Sequence, residues 1–165
     1  MASDRKVVAA LMKRHGRTYC DEIGIDIAKN TPSPLFEWLV ASLLFSARIS
    51  APIAVSAAQA LFRQGWRTPD RMVEAGWAAR TRVLNESGYA RYDESTSRML
   101  EDASRLLLDD YGGDLRRLRE AAGGDAGELR KRLKAFKGIG DVGVDVFFRE
   151  AQGTWDEIHP FADKK

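Results

Sequence analysis

The chain has little of what builds covalent or metal-held structure. A single cysteine, Cys20, stands among 165 residues, which excludes an internal disulfide and a cysteine-built zinc or iron–sulfur site; a lone cysteine of this kind is expected in the core. Two histidines, His15 and His159, have no metal-ligand partner at useful spacing, so no metal site is expected and both are assigned to the surface or to local hydrogen bonds. Long hydrophobic runs are also missing. The longest, LFEWLVASLLFSA from Leu35 to Ala47, is interrupted by Glu37 and falls short of the roughly 20 residues that span a bilayer. It reads as a buried helix, and no membrane partner is expected. The N-terminal segment lacks a small-residue cleavage pattern after its apolar stretch, so a cytoplasmic location is expected, nucleoid-associated in a bacterium. Strand-type alternation, fixed-period repeats and low-complexity tracts are absent as well.

What is present is a globular composition with a helical rhythm. Hydrophobic residues make up 44% and charged residues 30%, with a net charge of +2, values that suit one domain with a real core. Helix signals follow one another closely. Ser3 is a candidate cap for a helix ending near Gly16, and Arg17 to Ser33 reads as an irregular arm. The apolar helix from about Leu35 is hydrophobic on almost every face and belongs at the centre of a bundle, with Trp38 in the core. Pro52 suits the first turn of the next helix. Thr68-Pro69-Asp70 is a strong start, with a short helix to Ala75, another over Trp77 to Glu86, and the longest from a cap at Asp93 to Tyr111. Helices over Asp114–Ala122, Ala126–Phe136 and Asp141–Gln152 complete about nine, an all-α chain.

The last two helices are joined by KGIG within Phe136-Lys137-Gly138-Ile139-Gly140-Asp141-Val142-Gly143-Val144. Two glycines in so short a joint fit either a tight turn or a close approach of backbone to a ligand. Successive backbone N–H groups beside a helix N-terminus form a concave nest that binds an anion, while Ile139 would point inward and pin the turn to the core. The preceding helix carries a local excess of four positive charges between Glu128 and Lys137, which makes phosphate the expected occupant.

KAFKGIGDVGVDVFFREA resembles the helix-hairpin-helix of the HhH-GPD superfamily of DNA glycosylases, the group that includes endonuclease III and the adenine-mismatch and alkylated-base enzymes. PLFEWLVASLLFSARIS is similar to the first core helix of the endonuclease III branch, and ESGYARYDESTSRMLEDASRLLL to the turn and long helix that follow. Together they cover about Pro34 to Gln152. The resemblance implies a helical bundle divided into an N-terminal helix and arm (1–33) packing with the C-terminal segment, a core domain (34–152) with its hairpin motif at 126–152, and a short C-terminal segment (153–165). It also implies a monomeric, monofunctional glycosylase that hydrolyses the N-glycosidic bond of a damaged or mismatched base in double-stranded DNA. The alternative is a non-catalytic DNA-binding protein on the same scaffold.

The implied residues follow from the matched positions. The family's catalytic aspartate matches Asp163 best, with Asp156 the competing position; Pro160 stops a helix from running through Asp156. The hairpin residues Lys137, Gly138, Ile139, Gly140 and Val142 would hold a DNA phosphate, with a monovalent cation on the hairpin carbonyls as the one cofactor the resemblance admits. Where lyase members place a Schiff-base lysine, this chain has Val142, and the iron–sulfur cysteines are missing too. Arg48 falls where relatives plug the duplex. Tyr89, Arg91 and Tyr92 fall at the apolar wedge, and Lys134 is a further basic contact. Family members continue through at least one more helix behind the aspartate, whereas this sequence stops at Lys165, a departure expected to bear on activity more than on fold.

Overall fold

The computed structural model describes residues 2–15 and 17–162, without the side chains of residues 2, 3 and 11–15. The described residues form ten α-helices and no strand: α1 (Ala2–His15), α2 (Tyr19–Ile23), α3 (Pro32–Phe45), α4 (Ala51–Arg63), α5 (Pro69–Ala75), α6 (Trp77–Glu86), α7 (Asp93–Tyr111), α8 (Leu115–Ala121), α9 (Ala126–Lys134) and α10 (Asp141–Ala151).

The bundle is organised around α3. Every side chain from Leu35 to Leu44 is buried, as expected for a helix apolar on all faces. Around it pack α4, α10, α8 and the long α7, and α5 and α6 lie against the outer side of α7. Small residues let α4 come close to the centre, since Ala54, Ala57 and Ala58 are all buried. Trp38 is fully buried and its indole N–H donates to the Phe147 carbonyl of α10 at 3.1 Å. Cys20 is in the core, and burial with the neighbouring Glu150 carboxylate pushes its thiol well above the usual range, so it stays neutral and unreactive.

Helix starts are set by local chemistry. The hydroxyl of Thr68 accepts from the Arg71 N–H and caps α5, while the carboxylates of Asp114 and Asp125 cap α8 and α9 in the same way. Some expected boundaries move. Ser3 lies inside α1, and Gly16 is outside the described residues. Asp93 is the first helical residue of α7 and not its cap; its carboxylate accepts from the Glu94 N–H at 2.7 Å and from Asn85 at 3.0 Å. The arm also contains the unpredicted α2, whose first amides are held from a distance: the Glu150 carboxylate of α10 accepts from the N–H groups of Tyr19 and Cys20 at 3.1 and 2.8 Å. The end of the arm is tied to the segment after α10, where the Trp155 indole donates to Asn30 at 2.9 Å. The described side chains of α1, Asp4 to Ala10, are exposed.

Arg80 of α6 is fully buried and was not singled out by sequence. Its guanidinium donates to the carbonyls of Met72 at 2.7 Å and Ser97 at 3.1 Å, serving the C-terminal carbonyls of α5 that the helix itself leaves free.

Candidate nucleic-acid interface

α9 and α10 are joined by a short turn over residues 135–140. α9 ends two residues before the expected Phe136 because i→i−3 bonds, Ala135 N–H to Arg132 and Phe136 N–H to Leu133, tighten the chain and turn the Phe136 ring into the core. The Ile139 N–H returns to the Phe136 carbonyl at 3.0 Å, and the Ile139 side chain is buried, so it pins the turn as expected.

The glycines have different duties. Gly138 has φ +90° and lies against Leu43 and Met99, a left-handed conformation that disfavours any side chain. Gly143, inside α10, is in contact with Ser46, and a Cβ there would collide with its hydroxyl; it lets α10 lie close to the end of α3. Gly140 is needed for neither reason. Its backbone is extended, with φ −98° and ψ −160°, and a Cβ would meet no atom within 4 Å. It occupies the N-cap of α10 without supplying a side-chain cap, so the first N–H groups of that helix lack the side-chain partner that Asp114 and Asp125 give α8 and α9.

Three sequence-predicted regions meet around the carboxyl end of α3. Gly138 touches Leu43, and Gly143 touches Ser46. Arg48 stands exposed in the turn that follows α3. Next to them, the Tyr89 hydroxyl donates to the Leu44 carbonyl at 2.8 Å. That bond corrects one expectation: Tyr89 is 0% exposed and burial pushes its phenol up to about 12, so it is a core residue and not a wedge. A buried tyrosine needs a partner for its hydroxyl, and the end of α3 provides a free carbonyl. Beyond it lie the exposed Arg91 and the half-buried Tyr92, with the guanidinium 5.3 Å from the ring centroid. Val142 is 63% exposed in the first turn of α10 and offers no amine.

A groove of about 540 Å³ opens on this side between α2 and α4, lined by Arg17, Tyr19 and Glu22 on one wall and Pro52, Val55 and Gln59 on the other. Its aromatic wall is firm, because the Tyr19 ring packs on Phe45 at 4.7 Å and Glu150 holds the Tyr19 amide.

The charge seen in sequence is largely matched in space. Glu128 pairs with Arg132 at 3.1 Å, Asp145 with Arg130 at 2.6 Å, and Asp141 with Lys134 at 3.1 Å; Lys137 lies 3.9 Å from Asp102 of α7. Lys131 has no acidic partner at ion-pair distance among the described residues. Apart from Lys131, the cations counted between Glu128 and Lys137 are thus matched by Glu128 itself and by acids of α10 and α7. The spacing of Asp141 and Asp145, one helical turn apart, is the signal that could have shown it.

Of the two candidate carboxylates, Asp163 lies outside the described residues. Asp156 is exposed at the start of a 3-10 helix, Asp156–Ile158, which is anchored by the Arg119–Glu157 pair at 2.6 Å and by Trp155 on Asn30. Asn30 precedes the N-terminal end of α3, and α3 is about 20 Å long, so Asp156 sits at the end of the bundle opposite the hairpin. The chain then turns back along α10, where Phe161 packs edge-on against Phe148 at 5.4 Å. His159 is exposed.

Among the described residues no group of three or more histidine, cysteine, aspartate or glutamate side chains could hold a metal, and no helix is long and apolar enough to cross a membrane. No family model, curated protein or solved structure matches this chain.

Proposed function

We propose that this chain is a DNA-binding protein of the HhH-GPD type that acts as a monofunctional DNA glycosylase. The observation that carries the reading is Gly140. The fold does not require a glycine there, yet one stands at the uncapped start of α10, where backbone N–H groups can approach a phosphate without an intervening side chain. The surroundings support the same use. Arg48 and Arg91 stand exposed, and Tyr92 half-buried, around the same end of α3, where they can fill a gap in a duplex and stack on bases. The neighbouring groove, with an aromatic wall and polar side chains at its rim, suits a base removed from the stack.

In this reading the hairpin amides fix the register of the backbone by holding one phosphate, and Arg48 occupies the space the base leaves. The Asp163 carboxylate stabilises positive charge developing on the deoxyribose and orients or deprotonates the attacking water. Val142 cannot form a Schiff base, so the product is an intact abasic site.

The test is incubation with synthetic duplexes carrying a panel of lesions and mismatches, scored for strand breaks before and after hot alkali. Breaks that require alkali, little borohydride trapping, and a loss of several orders of magnitude in Asp163→Asn with binding retained are the expected results. Excision lost in Asp156→Asn but kept in Asp163→Asn reverses the assignment of the carboxylate. Duplex binding with no excision of any lesion replaces the enzyme by a non-catalytic DNA-binding protein.

A further inference from the structure

We infer that Asp141 is a built-in competitor for the DNA phosphate at the hairpin and holds affinity down for all sequences alike. The inference rests on the proposed DNA-binding role of that hairpin.

Asp141 is the first residue of α10, directly after Gly140. An anion bound by the free amides of that turn would therefore lie beside its carboxylate. The carboxylate is 3.1 Å from the Lys134 ammonium and 3.5 Å from the Arg130 guanidinium, the two cations of α9 that face the start of α10. The free protein thus already offers them a negative group where a phosphate would sit. Asp145 takes the other side of Arg130 at 2.6 Å, which leaves Lys134 as the cation that Asp141 alone occupies. The pair is open to solvent, with Asp141 69% and Lys134 43% exposed, and exposed pairs of this kind are weak and screened by salt. A phosphate can therefore take Lys134 from Asp141, but each binding event has to exchange one anion for another and tolerate a like charge nearby.

Asp141→Asn removes the competitor and keeps the shape. Duplex affinity at low salt should rise about three- to tenfold. The dependence of log affinity on log salt should steepen by roughly 0.9, one more phosphate neutralised. A structural role points the other way, because an acid in the first turn supports a helix; its loss would lower thermal stability and weaken binding. Lys134→Ala is the second variant. It should cost more affinity in the Asp141→Asn background than in the wild type, where Lys134 is already engaged. Fluorescence anisotropy with one labelled duplex over a salt series reads the wild type, the two single variants, the double variant and Gly140→Ala. If Gly140→Ala weakens binding but Asp141→Asn does not strengthen it, the competitor idea is overturned and the hairpin reading stands. Wild-type binding that is absent, or that Gly140→Ala leaves unchanged, overturns both.

Discussion

Replacing Gly140 by alanine separates a hairpin that only turns the chain from one that receives a ligand. The residue has φ −98° and ψ −160°, and a Cβ would meet no atom within 4 Å. The folded state therefore accepts the methyl without strain, while the unfolded chain loses freedom, so stability should hold or rise by up to about 1 kcal/mol. Gly138→Ala is the contrasting change. At φ +90°, with the Met99 sulfur 2.8 Å from the new Cβ, it should cost about 1–2 kcal/mol and lower the melting temperature by several degrees, at about 2–4 °C per kcal/mol for a chain of this size. Binding should follow a different order. If amides at the start of α10 approach a phosphate, the Gly140 methyl intrudes on that approach, and losing charge-assisted bonds of about 1.5–3 kcal/mol lowers affinity roughly ten- to a hundredfold. Thermal unfolding and duplex anisotropy on the same preparations give both quantities. A Gly140→Ala protein that melts and binds like the wild type would refute the ligand-receiving hairpin, leaving a turn.

Two further predictions concern the scaffold. Arg80→Met keeps volume but strips the Met72 and Ser97 carbonyls of their donor; it should destabilise by about 2–4 kcal/mol in denaturant unfolding, and a loss under about 1 kcal/mol would show that water replaces the guanidinium. The Arg119 guanidinium, hydrogen-bonded to Glu157, holds that carboxyl below its ordinary value. A lowered folded pKa contributes stability above the unfolded value that is lost as pH falls through the folded one. Melting temperature should accordingly fall on acidification below roughly pH 4.5, and more shallowly in Glu157→Gln.

The bundle was legible where a single helix carried its own evidence. Ten consecutive buried positions in α3 are apolar or small apart from Glu37 and Ser42, so the central helix declared itself, and Thr68 announced α5 through a cap that depends on three residues alone. α2 was missed because it is five residues long and is held by a carboxylate 130 positions away in sequence. Its local signals, the Thr18 hydroxyl that accepts from the Asp21 N–H and the left-handed Gly24 that ends it, went unread in so short a segment. Arg80 was missed for a related reason: its burial is offset by carbonyls at the end of another helix.

At the candidate site the same division decides what could be read. The glycines and Ile139 define the hairpin within a few residues, so its shape was visible. Tyr89 was misplaced because a tyrosine beside a glycine turn looks the same whether its hydroxyl meets solvent or, as here, the last free carbonyls of α3. The basic run of α9 was overestimated because charge was counted along one helix, while its neutralising acids come from α10 and α7. For an anionic partner the difference matters: of the cations counted in sequence, Arg130 and Lys134 must change partner before they can serve a phosphate, and Lys131 need not. The hairpin's backbone, which carries no competing charge of its own, is therefore the feature on which affinity should depend most directly, and Gly140 is the position where that dependence can be measured without disturbing the fold.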